Sequence, residues 1–408
     1  MPNEVPDPVA DWARSGVVPL TGHSDGPPLV PPGRAATLAR EIGERLATAP
    51  GAHPVRLDGA RLLSERAAFT GHHRRGAVSV GGSCRLLPTA DGWAAVSCAR
   101  PDDRQLLGAL VGAELPSDPW PAVAAWLREH GSDELGERAE LLGLAAGPVR
   151  APPAAPRPPG RAQDRGVAGL LVVDFSALWA GPLCAHLLGL AGARVVKVET
   201  PDRPDGARLG NPEFYRLLHA GHRSVVLDPG TSRGRRAIAD LVAAADIVIE
   251  ASRPRALAGF GLDARATVAA GTVWISITAG GRASNRVGFG DDIAAAGGLV
   301  AWDARGTPVF CGDALADPLA GLVAADHALS APPGTLVDLA MSAVVGSTVD
   351  IGNDASATAR KENGSWVVDT ASGPVPVASP HRRPVHGTAP ESGAHTREVL
   401  REHGIPLP

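Results

Sequence analysis

Residues 170–199, LLVVDFSALWAGPLCAHLLGLAGARVVKVE, decide the fold, because one unbroken run contains a strand, a turn, a helix and a second strand. Residues 172–175 form a mostly apolar run that stops at Ser176, and Pro182 stands where a first helical turn tolerates a residue without an N–H. Leu183, Leu187, Leu188 and Leu190 give that helix an apolar face, Gly189 and Gly192 end it, and residues 194–199 return to a strand pattern. The turn reads SALWAGP rather than the GxGxxG of dinucleotide-binding folds. A helix start behind such a turn still offers free backbone amides to an anion, so the unit suits a phosphorylated ligand without specifying NAD.

Working outward, the alternation continues. Strand patterns recur at 224–227, 247–250 and 273–277, and between them segments such as 233–244 place Ala237, Ile238, Leu241 and Val242 on one helical face. This predicts an α/β fold built on a doubly wound parallel sheet with helices on both faces. Upstream, residues 151–165, APPAAPRPPGRAQDR, carry five prolines without apolar periodicity and predict an extended linker of up to about 45 Å at ~3.1 Å per residue. Before it the texture is that of a smaller α+β domain. Residues 84–88 and 93–98 flank Asp91-Gly92 as a hairpin. Asp118 caps a helix from Pro119 to Gly131, and Ser132 caps another with Leu135, Ala139 and Leu142 as its stripe.

The 408 residues suffice for two or three domains with their own cores. A net charge of −4 with both signs interspersed gives no footprint for nucleic acid. Cys84, Cys98, Cys184 and Cys311 are too widely spaced for a zinc pattern, which predicts reduced thiols and no metal. The start, MPNEVPDPVADW, is polar, and no run approaches the ~20 apolar residues of a membrane span, so no membrane partner and a cytoplasmic location are expected.

The ordered segments DFSALWAGP, ARVVKVETP, HAGHRSVVLD and ADIVIEASRP resemble the family III CoA-transferases, the group of formyl-CoA transferase, carnitine CoA-transferase and alpha-methylacyl-CoA racemase. The resemblance runs from about 167 to 350 and resumes at 377–407, where ASPHRRPVHGTAPESGAHTREVL is similar to the family's ending. RLLPTADGWAAVSCARPDD and ELLGLAAGPV resemble the small domain that the family carries after its nucleotide-binding domain, and here they lie in front of it. Residues 11–37 can moreover be laid on 292–317, with Asp11, Gly16, Gly26 and Pro28 opposite Asp292, Gly297, Gly306 and Pro308. The chain thus reads as the back of one family unit (1–65), a small α+β domain (66–150), a linker (151–165), a CoA-binding Rossmann-like domain (166–350) and a family-like ending (351–408). The small domain is expected to fold over the carboxyl ends of the sheet near Asp317, in the same chain or across a homodimer of the family's interlocked kind.

What the resemblance implies chemically centres on Asp317 in ALADPLAGLVAADHAL, which matches the family's nucleophile. Moving CoA from an acyl-CoA to a carboxylic acid requires a carboxylate that attacks a thioester, forms a mixed anhydride and takes CoA back as an enzyme thioester. Without the family context, Asp followed by Pro reads as a helix N-cap. Thr37 stands opposite Asp317 in the internal comparison and lacks the carboxylate, so one active site per chain is implied. Asp291 stands where the racemase branch has a histidine, which favours CoA transfer over racemisation, and Asp292 reads as a helix cap. For the phosphates of CoA the family-like positions are Arg208, His222, Arg223, Ser252 and Arg253, while Thr200, Gly259 and Thr278 replace basic residues of formyl-CoA transferase. Ala177, Leu178 and Trp179 match the turn that lines the CoA thiol, with a core aromatic as the other reading of Trp179. A racemase-like enzyme and a non-catalytic acyl-CoA-binding partner are the alternatives.

Overall fold

Residues 7–50, 52–149, 166–252, 254–349 and 356–408 are described by the structure, a computed structural model, and the proline-rich stretch 151–165 and Arg253 lie outside them. β1 (Cys84–Pro88) and β2 (Trp93–Ser97) pair antiparallel around the Asp91-Gly92 turn, and β3 (Ala146–Pro148) adds to β2. Asp91 also accepts from Ser132 N at 2.9 and 3.2 Å, so the Ser132–Leu142 helix starts against the hairpin and Gly131, not Ser132, is its N-cap. The helix before it spans Trp120–Glu129 and stops at His130, short of the glycine expected to end it.

Then follow β4 (Leu171–Asp174), β5 (Arg194–Glu199), β6 (Arg223–Val226), β7 (Ile247–Glu250) and β8 (Val273–Thr278). β9 (Val300–Trp302) and β10 (Pro308–Phe310) form a short antiparallel pair. β11 (Leu336–Ala340) returns to the main sheet, and β12 (Arg360–Glu362), β13 (Ser365–Thr370) and β14 (Gly373–Pro376) make a separate antiparallel meander. The main sheet is parallel and six-stranded in the order β11-β8-β7-β4-β5-β6. Counted by their own succession, these strands run 3-2-1-4-5-6. This is the doubly wound order, whose crevice opens at the carboxyl ends of the first and fourth strands, here β4 and β7.

Successive side chains of a strand point to opposite faces, and here both faces are covered. Val172, Ile247, Ile249, Val273 and Ile275 enter one core with the Ala180–Leu190 and Ala316–Ser330 helices. Leu171, Val173, Val196, Val248 and Trp274 enter the other, closed by Ala237, Ile238 and Leu241 and by Val399 and Leu400 of the C-terminal Thr396–Glu402 helix. The first core also takes in Trp12, Ile42 and Leu46 of the N-terminal Pro8–Ser15 and Ala35–Thr48 helices. Arg45 seals that contact by donating to both oxygens of Asp326 at 3.1 and 3.0 Å.

The small sheet is part of the same assembly. Cys84, Leu86 and Ala95 share a cluster with Ala295, Val300 and Phe310, and Phe310 N donates to Gly76 O at 3.0 Å. β2 and β3 thereby pack on the Gly290–Ala296 helix of their own chain. Among the described residues no helix is long and apolar enough to cross a membrane.

Candidate active site

The glycine of ADPLAG sets where Asp317 sits. A Cβ on Gly321 would lie 2.6 Å from Ala180 O and 3.0 Å from Leu183 Cβ, so only glycine lets the Ala316–Ser330 helix press against the Ala180–Leu190 helix behind the nucleotide turn. Asp317 is the second residue of its helix, after Leu315 in right-handed helical conformation, and no side chain caps that start. It is therefore not the N-cap that Asp-Pro alone would suggest. Asp317 is part-buried, and among the described residues none donates a hydrogen bond to its carboxylate.

The loop before this helix is built by carboxylates. Asp291, in the Gly290–Ala296 helix, accepts from Ala314 N at 2.9 Å, which holds a turn where Gly312 and the non-glycine Ala314 both adopt positive φ, 62° and 48°. Asp313 is fully buried and meets Arg66, whose Nε donates to Oδ2 at 2.8 Å while Nη2 pairs with Oδ1. Asp292 accepts from Phe289 N at 2.9 Å, reaching back to the start of its own helix, and from Ser97 Oγ of β2 at 3.0 Å. The helix-start reading of Asp292 thus holds, with a tie to the small sheet that sequence did not announce. Gly290 closes the cluster, since a Cβ there would lie 2.5 Å from Asp317 Oδ2.

Burial governs the protonation of this group. It pushes Asp317 up to about 7, with Arg66 opposing and Asp291, Asp292 and Asp313 adding to the shift. Asp291 also rises to about 7, through burial first and Asp313 second, against Arg66. Asp292 rises to about 6 by burial, with Arg286 opposing. Near neutrality Asp317 is therefore divided between acid and carboxylate.

The expected CoA positions divide. Ala177 and Leu178 are exposed just beyond β4, and Ser252 follows β7, so these three flank the crevice. Leu178 is held at φ 70° by Asp205, which accepts its N–H at 3.0 Å while pairing with the buried Lys197 at 2.8 Å. Trp179 turns inward with 2% exposure, meets Phe214 edge-on at 5.4 Å and carries the Arg66 guanidinium 4.8 Å above its ring. Of its two readings, the core aromatic is the one observed. Arg208 lies on the carboxyl side of β5 but is gripped by Glu199, Nε to Oε1 at 2.9 Å and Nη2 to Oε2 at 2.5 Å.

Two expectations are corrected. Arg223 opens β6 and so stands toward the amino end of the sheet, where it pairs with Glu402 beside Arg194. His222 is buried against Gly189, and burial followed by the Lys197 charge lowers it to about 3, so it is a neutral core histidine and not a phosphate ligand. Thr37 is buried in the Ala35–Thr48 helix, and Asp11 is engaged by Arg40 Nε at 3.0 Å. Sequence reasoning missed Arg66 and Asp313. Asp313 was signalled by its place four residues before Asp317, whereas Arg66 lies 247 residues from its partner and carries no local mark.

The CoA-transferase family III model matches residues 167–350. The succinate–glutarate CoA-transferase of Agrobacterium fabrum is 29% identical over 202 residues, which cover 43% of this chain and 50% of the relative. The beta subunit of the succinyl-CoA–L-malate CoA-transferase of Chloroflexus aurantiacus is 33% identical over 171 residues, covering 38% and 42%. A crystal structure of a hypothetical protein from Mycobacterium tuberculosis aligns at 24% identity and a TM-score of 0.44, over 52% of this chain and 65% of that one. The chain spans about half the length of the curated relatives it matches.

Proposed function

We propose that the chain moves CoA between an acyl-CoA thioester and a small carboxylic acid with Asp317 as nucleophile, the reading supported by the CoA-transferase family III model that matches residues 167–350. The observation that carries this reading is the state of Asp317: partly open, free of hydrogen bonds among the described residues, and raised to about 7 by burial. A carboxylate of raised pKa is the more nucleophilic one, and near neutrality a large fraction of it is ionised. In the first half-reaction an Asp317 oxygen attacks the thioester carbonyl and expels the CoA thiolate, leaving an aspartyl-acyl anhydride. The thiolate then attacks the aspartyl carbonyl, releasing the first acid as carboxylate and leaving CoA on Asp317 as a thioester. In the second half the acceptor carboxylate attacks this thioester, and the expelled thiolate takes the new acyl group, restoring Asp317. The exposed Ala177–Leu178 turn and Ser252 lie where the CoA arm would enter a doubly wound crevice.

Asp291 and Asp317, both raised to about 7, would also suit proton transfer at the carbon beside a thioester. Asp291 Oδ1 is occupied by Ala314 N, which favours the transferase reading. Incubation with acyl-CoA and hydroxylamine separates the two. Capture of the anhydride or thioester as a hydroxamate on Asp317 is expected. Deuterium uptake from heavy water at the acyl α-carbon with no adduct on Asp317 would replace transfer by racemisation.

A further inference from the structure

We infer that Arg66, supplied by the N-terminal half of the chain, is a positioning residue that keeps Asp317 ionised for attack; this rests on the reading of Asp317 as nucleophile. Four buried or part-buried carboxyl groups converge at this point: Asp291 and Asp292 from the Gly290–Ala296 helix, Asp313 from the loop, and Asp317 from the start of its own helix. Like charges at close quarters in a poorly hydrated site suppress one another's ionisation, and the most weakly held carboxylate is protonated first. Asp317 has no hydrogen bond among the described residues to hold its charge, and it is raised as far as Asp291 is.

Among the described residues the cation whose charge acts on Asp317 is Arg66, paired with Asp313 in the loop that leads into the Asp317 helix. It engages both oxygens of Asp313 and thereby cancels one competing charge, and it also opposes the protonation of Asp291 and Asp317. Its guanidinium is fixed on two sides: Asp313 holds the edge and the Trp179 ring supports the face. The preceding residue of the same helix, Glu65, is locked by Arg383, which donates to its two oxygens at 2.7 and 2.8 Å. A guanidinium is suited to this task because its charge persists at every working pH and its fork matches a carboxylate. Through Trp179 the same side chain abuts the turn bearing Ala177 and Leu178, so one residue touches both the nucleophile's loop and the CoA turn.

The test is the pH dependence of kcat/KM for CoA exchange by the full chain, for the wild type, Arg66→Lys, Arg66→Gln and Asp317→Asn, with thermal melts alongside. The acid limb should move upward by about one pH unit or more in Arg66→Gln, a tenfold loss at pH values below the limb, and stay near the wild type in Arg66→Lys. A rate that falls evenly across pH with the limb unmoved would mean a merely structural role and overturn the inference. If Arg66→Gln does not fold, Asp313→Asn takes its place. That change removes a competing anion and should move the limb downward, and an unmoved limb overturns the inference equally. An active Asp317→Asn enzyme would defeat the functional reading itself, whereas a silent one beside an unmoved Arg66→Gln limb defeats the inference alone.

Discussion

Asp291 holds the loop before Asp317 in place through one oxygen, and its charge is a burden on the fold. Its folded pKa of about 7 lies above the ordinary carboxylate value, so the stability it contributes is fully present below about pH 4 and is lost as pH rises through about 7. Asp291→Asn keeps an oxygen for Ala314 N and removes the charge. It should therefore stabilise the fold at pH 8 by something on the order of 1–2 kcal/mol or more, read as a higher melting temperature, and give a smaller gain at pH 5. Equal gains at both pH values in calorimetric melts would count against this assignment. Single residues were unevenly legible in the sequence. Asp317 stood out because its motif resembles a known nucleophile, whereas Arg66 in SERAAFT looks like any solvated helical arginine until Asp313 is brought to it. Arg223 misled because its strand begins at the arginine itself, and that places the charge toward the amino end of the sheet, away from the crevice.

Among the elements, the strand–helix alternation identified five of the six strands of the main sheet, because strands buried on both faces read as apolar runs. β11 escaped, being an edge strand whose LVDLA run is only partly buried and is interrupted by the exposed Asp338. The β12–β14 meander escaped for a similar reason, since most of its residues face solvent. Helix packing was legible only after the fact: the glycine of ADPLAG is a contact with Ala180 and not a turn. Gly321→Leu should drive the Ala316–Ser330 and Ala180–Leu190 helices apart and cost roughly 1–3 kcal/mol. It should also lower CoA exchange more than proportionally, because Asp317 rides on the displaced helix. A variant with wild-type melting and exchange would show that the contact does not position the nucleophile.

At the scale of the whole molecule, the site draws on both halves of the chain. Residues 167–350 supply Asp291, Asp292, Asp313, Asp317 and the crevice, and the N-terminal region supplies Arg66 and Ser97. The sequence disclosed that a small α+β region precedes the parallel-sheet region, but the hydrogen bond from Ser97 to Asp292 depends on tertiary packing that no local pattern encodes. All of this construction converges on the ionised oxygen of Asp317, so the most direct measurement compares CoA exchange by the wild type and Asp317→Asn at matched foldedness. The account predicts that Asp317→Asn melts near the wild-type temperature and loses activity by something on the order of 10⁴-fold, as a covalent catalyst does without its nucleophile. CoA exchange by a folded Asp317→Asn protein at close to the wild-type rate would contradict it.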